Sequence, residues 1–116
     1  MTALLVQGEL YERAKDVDKA AQSYEEAAAM APADPRAIAS LGWLAHTHGQ
    51  HERAGRLLKQ SAEALPDDPR AQFRLGLAAR ALGDTAGART AFNRALRSQV
   101  VFADRDAARQ ALASLK

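Results

Sequence analysis

A 34-residue period runs through this sequence, and a period of that length restricts the chain to stacked arrays of like units. Gly8, Gly42 and Gly76 stand 34 residues apart, as do Ala20, Ala54 and Ala88. Pro32 and Pro66 keep the same interval ahead of Asp34-Pro35 and Asp68-Pro69. Residues 35–68 and 69–102 share eight identities in this register: Pro35/Pro69, Arg36/Arg70, Ala37/Ala71, Leu41/Leu75, Gly42/Gly76, Ala45/Ala79, Gly49/Gly83 and Ala54/Ala88. The organisation predicted is one domain, 1–116, with units 1–34, 35–68 and 69–102 and a closing segment 103–116.

Each unit spells helix, turn, helix. Asp34 and Asp68 place a carboxylate at a helix start, and Pro35 and Pro69 follow at the first helical position, where a missing N–H costs nothing. Gly49 and Gly83 suit the left-handed residue that ends a helix, and Asp84 can cap the next one. Ile38, Leu41, Leu44 and Ala45 recur at helical spacing, as do Leu57, Leu58, Ala62 and Leu65. Leu75, Ala79 and Leu82 form the corresponding stripe in the third unit. The spacing predicts seven helices, over 2–14, 17–30, 35–48, 51–64, 69–82, 85–98 and 104–115, and no stretch alternates as a strand requires.

Those columns resemble the tetratricopeptide repeat. Leu41-Gly42, Ala45, Gly49, Ala54, Leu58 and Pro66 fit the family's pattern of small and large positions, and Leu75-Gly76, Ala79, Gly83, Ala88, Phe92 and Ala95 repeat it. Unit one contributes Gly8, Tyr11, Ala20, Tyr24, Ala27 and Pro32, with Gln7 and Lys15 where the other units have leucine and glycine. The third unit departs too, closing on Val100-Val101-Phe102 in place of Pro66-Asp67-Asp68. The resemblance implies an all-α, right-handed superhelical solenoid of three helix-turn-helix units. Ala108, Ala111, Leu112 and Leu115 lie on one stripe of a seventh helix, read as a cap over Val100, Val101 and Phe102. The ending also resembles the C-terminal ends of long bacterial repeat arrays, including those associated with exopolysaccharide export. That implies an alternative role as a structural, self-assembling module, head to tail or within a longer array. Cytoplasmic placement is the default expectation, and a periplasmic one applies to a fragment of an exported protein.

By the same resemblance, partners lie in a concave groove lined by the first helix of each pair. Projection onto that face selects Leu5, Glu9, Glu12 and Arg13, then Arg36, Ala39, Ser40, Trp43, His46 and Thr47, then Arg70, Phe73, Arg74, Leu77 and Arg80. Trp43, the sole tryptophan, lies off the stripe of Ile38, Leu41, Leu44 and Ala45, and Phe73 lies off that of Leu75, Ala79 and Leu82. An exposed aromatic pair among arginines is the expected anchor, because aromatic and Arg side chains dominate binding energy. Relatives that grip chaperone C-termini use five groove places, which here hold Leu5, Glu9, Ser40, Arg70 and Arg74. Only the two arginines could bind a carboxylate and Glu9 would repel one, so the full clamp is absent. The partner expected is a protein or peptide segment carrying acidic and apolar residues.

Other chemistries find little in the sequence. Without cysteine there is no thiol catalysis, zinc ribbon or disulfide scaffold, and 116 residues bury enough surface to need neither disulfide nor metal. His46, His48 and His51 lack the one-face spacing of metal ligands. No nucleophile elbow or phosphate-cradling glycine loop occurs, so the reading is a non-enzyme with no catalytic residues, cofactor or metal. No apolar run approaches the ~18 residues of a membrane span, and no signal peptide is readable. Residues 1–34 carry seven acids and three bases, 35–68 four of each, and 69–102 one acid and six arginines, or −4, 0 and +5, with +1 in the closing segment. This dipole raises weak self-association through opposite ends. Arg70, Arg74, Arg80, Arg89, Arg94 and Arg97 lie on both helices of their unit, so a nucleic-acid surface is not expected.

Overall fold

In the computed structural model, which describes residues 2–99 and 102–115, aspartate side chains cap four of the helices. A side-chain oxygen of Asp16 accepts from the N–H of Lys19, Asp34 from Arg36, Asp68 from Arg70 and Ala71, and Asp84 from Gly87, at 2.9 to 3.3 Å. Each satisfies N–H groups that the first helical turn leaves without an internal partner. The helices are α1 (Thr2–Arg13), α2 (Val17–Met30), α3 (Pro35–Thr47), α4 (His51–Ala64), α5 (Pro69–Ala81), α6 (Thr85–Arg97) and α7 (Arg105–Ser114). No strand occurs among the described residues.

Several helices stop a residue short of expectation, for a physical reason. The N–H of Gln50 bonds the carbonyl of Ala45, and that of Asp84 the carbonyl of Ala79, both at 2.9 Å, which closes each helix through a left-handed residue. Gly49 and Gly83 supply that residue at φ 79°. Unit one makes the same closure, Asp16 N–H to Tyr11 carbonyl at 2.9 Å, with Lys15 held at φ 61° where the others have glycine.

Within each pair the helices meet where a glycine faces a large side chain. A Cβ at Gly8 would collide with the ring of Tyr24, at Gly76 with the ring of Phe92, and at Gly42 with Leu58 at 2.9 Å. Tyr24, Leu58 and Phe92, themselves 34 residues apart, are at most 1% exposed. Ala20, Ala54 and Ala88 are fully buried beside them. Successive pairs then stack: Tyr24 and Ala27 of α2 share a cluster with Ala37, Leu41 and Leu44 of α3, and Ala54 and Leu58 of α4 join Leu75 and Ala78 of α5. Leu82, expected in the α5 stripe, is 47% exposed because the helix ends at Ala81 and the chain turns away.

The seventh helix closes the last pair. Ala108, Ala111, Leu112 and Leu115 pack with Phe102 against Ala88, Phe92 and Ala95 of α6 and Phe73 and Leu77 of α5. The Arg105 guanidinium donates to the carbonyls of Leu96 and Ser98, each at 3.1 Å, where α6 runs out of internal donors. Val100 and Val101, which the cap was expected to cover, lie outside the described residues.

Candidate functional site

The first helices of the three pairs turn one side toward a common groove of about 590 Å³. From α1 come Leu5, Glu9, Glu12 and Arg13, from α3 Arg36, Ala39, Ser40 and Trp43, and from α5 Arg70, Ala71 and Arg74. Of the residues selected from sequence, the groove therefore gathers Leu5, Glu9, Glu12, Arg13, Arg36, Ala39, Ser40, Trp43, Arg70 and Arg74. The five places implied by resemblance, Leu5, Glu9, Ser40, Arg70 and Arg74, all line it.

Five selected residues do not line it: His46, Thr47, Phe73, Leu77 and Arg80. Phe73 is 6% exposed, with its ring 6.0 Å from that of Phe92, and Leu77 packs into the same cluster. The expected exposed pair of Trp43 and Phe73 does not exist, because α7 brings Ala108 and Ala111 into the cluster that holds Phe73. His46 stands behind Trp43, stacked on it at 5.2 Å, and does not line the groove.

What meets Trp43 from the third unit is Arg74. Its guanidinium carbon lies 4.7 Å from the Trp43 ring centroid, a cation–π contact. Burial lowers the Arg74 pKa, Arg70 lowers it further, and Asp104, Glu12 and Tyr24 push the other way. Neither Arg74 nor Arg70 has a carboxylate within ion-pair distance among the described residues. Arg36 differs: its guanidinium holds both oxygens of Asp34, at 3.2 and 3.0 Å, and with the Arg36 N–H keeps that carboxyl below its usual range. Arg36 is thus committed to its own helix cap, leaving Arg70 and Arg74 as the pair open to an acid.

At the acidic end, the Tyr24 hydroxyl donates to the Glu12 carboxylate. Burial, then that hydrogen bond, pushes the Tyr24 pKa up, so it remains a donor and fixes Glu12 in place. Glu9 lines the groove without an ion pair among the described residues. Sequence reasoning missed the contributions of the second helices and the α4–α5 turn: Tyr24, Leu58, Ser61, Leu65 and Asp68. Tyr24 was read only as packing, and its hydroxyl was the one available signal, since a buried tyrosine needs a hydrogen-bond partner.

The histidines are arranged differently from their spacing. The turn at Gly49 folds His51 back so that its ring lies 5.2 Å from that of His46, while His48 turns to the Leu44 carbonyl at 2.9 Å. The Nδ1 atoms of His46 and His51 are buried with no hydrogen-bond partner. No group of three or more potential metal ligands occurs among the described residues, and no helix there is long and apolar enough to cross a membrane.

Comparison with known proteins gives a consistent picture. The tetratricopeptide repeat family matches residues 11–72 and, through a second family model, residues 70–99. No curated protein sequence matches the chain. Among solved structures, the Sgt2 tetratricopeptide domain from Aspergillus fumigatus is 25% identical with a TM-score of 0.86, over 98% of this chain and 75% of that one. MamA, as the D159K mutant, is 28% identical with a TM-score of 0.79, over 95% of this chain and 62% of its own. The Yersinia enterocolitica type III secretion chaperone SycD, in complex with a peptide of the translocator YopD, shares the fold at 15% identity and a TM-score of 0.86, over 98% of this chain and 90% of that one.

Proposed function

We propose that this chain, which belongs to the tetratricopeptide repeat family, is a non-catalytic scaffold that holds a peptide or protein segment in its groove. The segment carries an acidic group for Arg70 and Arg74 and, next to it, an apolar side chain for Trp43. Glu9 and Glu12 favour a basic residue toward its other end, which sets the direction of the bound chain.

One observation carries this reading. The Arg74 guanidinium is half-buried over the Trp43 ring, with Arg70 as the largest charge influence on it and no carboxylate paired to it among the described residues. A cation drawn out of water without a counter-ion is costly, and an incoming carboxylate relieves that cost while its neighbour covers Trp43. Neighbours of the same fold support the general role. SycD is solved with a translocator peptide, and the TPR2B domain of yeast Sti1 in a complex with pHsp70.

Selection from a displayed library of random linear peptides tests it. The wild-type protein is expected to enrich peptides that join Asp or Glu to an apolar or aromatic residue, and Trp43→Ala is expected to enrich none. The same enrichment by both proteins, or enrichment without an acidic residue, overturns the reading.

A further inference from the structure

At Ala3 and Leu10 the outward face of α1 keeps the residue types that the next unit buries, with Gln7 at the place of Leu41 and Val6 at the place of the groove residue Ser40. Ala37, Leu41 and Leu44 of α3 sit in one cluster with Ala20, Tyr24 and Ala27 of α2. Thirty-four residues earlier the equivalent places hold Ala3, Gln7 and Leu10. Leu41 and Leu44 are 8% and 5% exposed, whereas Leu10 is 56% exposed and Val6, one helical turn before it, 50%. Gln7 lies between them with its amide directed to the Tyr11 hydroxyl at 3.4 Å. Ala3, Val6 and Leu10 therefore form an exposed apolar stripe at helical spacing.

The two ends of the molecule carry opposite charge. Unit one is −4, unit three +5 and the closing segment +1. Asp18 and Glu26 near the first end, and Arg89, Arg94 and Arg97 near the last, are exposed and have no ion pair among the described residues. The exposed side of α7 shows Ala107, Gln110 and Ala113, small or unbranched side chains flanked by the Asp106–Arg109 ion pair. Two first units would meet with like charge, which opposes pairing through α1 alone.

We propose that the Val6–Leu10 face of α1 docks on the outward face of α7 of a second copy, a head-to-tail contact steered by the opposite charges of the two ends. The contact is heterologous, so every added copy leaves one free head and one free tail, and assembly grows into open chains instead of stopping at a dimer. The Debye length of about 8 Å at physiological ionic strength weakens the steering as salt rises.

Sedimentation velocity of the full chain, as a concentration series at low and high salt, tests the proposal with two exposed substitutions: Leu10→Glu, which blocks the head, and Ala107→Arg, which blocks the tail. Circular dichroism verifies that both remain folded. The wild type is expected to gain average mass with concentration at low salt and to return toward monomer at high salt. Each variant alone is expected to stay monomeric, and their equimolar mixture to double in mass and grow no further. A wild type that is monomeric at every concentration at low salt overturns the proposal. So does an Ala107→Arg protein that dimerises by itself, which would mean symmetric pairing of α1, or a mixture that stays monomeric.

Discussion

Trp43 and Phe73 show how differently two aromatic residues on equivalent helices can be used. Trp43 is only partly buried, between the His46 ring and the Arg74 guanidinium, so Trp43→Ala is expected to abolish peptide binding while the helical circular dichroism stays unchanged. Phe73 packs on Phe92 in the core, and Phe73→Ala is expected to cost about 3 kcal/mol or more, read from chemical denaturation. The helical period put Phe73 off the stripe of Leu75, Ala79 and Leu82, whereas Phe73 is buried in a cluster that includes Ala79, and Leu82 is exposed. The period did not indicate that α7 covers that side in unit three, because the cover comes from residues some 35 positions later. Ten of the fifteen selected groove residues were legible in the same way, from the period and the family resemblance together. The Arg74–Trp43 contact was not, since it joins different units and depends on side-chain direction. His46 gives a further test. Burial, then the charges of His51 and Arg80, lower its pKa from the ordinary 6.5. The unfolded chain then takes up a proton that the native site resists, so this contribution to stability is complete above that value and is lost as pH falls through it. The melting temperature is expected to drop between about pH 7.5 and 5.5, and His46→Gln to flatten part of that slope.

Lys15 and α7 are the elements in which the array departs from its own period. Lys15 occupies the left-handed position at φ 61° that Gly49 and Gly83 fill in the other units. A side chain there costs on the order of 1 kcal/mol, so Lys15→Gly is expected to raise the melting temperature by a few degrees, measured calorimetrically. Helix α7 closes the opposite end, and deleting residues 103–116 uncovers Phe73, Phe92 and Ala95 and removes the Arg105 bonds to the α6 carbonyls. The truncated protein is expected to melt lower or aggregate, and an unchanged melting temperature and solubility would refute the cap. The helices themselves were legible because caps, prolines, glycines and apolar spacing agree at most boundaries, Lys15 and the uncapped start of α4 at Gln50 being exceptions. The one-residue differences arise where the chain leaves the helix through the left-handed Gly49 and Gly83, with Gln50 and Asp84 donating back to the Ala45 and Ala79 carbonyls.

At the scale of the whole molecule, the groove and the charge distribution run along the same axis. Acids from α1 line one end and arginines from α5 the other, with Trp43 between them on α3. On the proposed function a ligand in this groove would meet a change of sign as well as an apolar anchor, which would fix its direction along the array. Because Trp43 is the sole tryptophan, its emission reports the centre of the groove without a label. The most direct test is to titrate the wild-type protein and Arg74→Ala with one library-selected acidic peptide that lacks tryptophan, following Trp43 fluorescence alongside calorimetric heat. The account predicts a saturable change in Trp43 emission that tracks the heat in the wild type and is at least tenfold weaker in affinity in Arg74→Ala. Calorimetric binding that leaves Trp43 emission unchanged, or equal affinity in the two proteins, would contradict it.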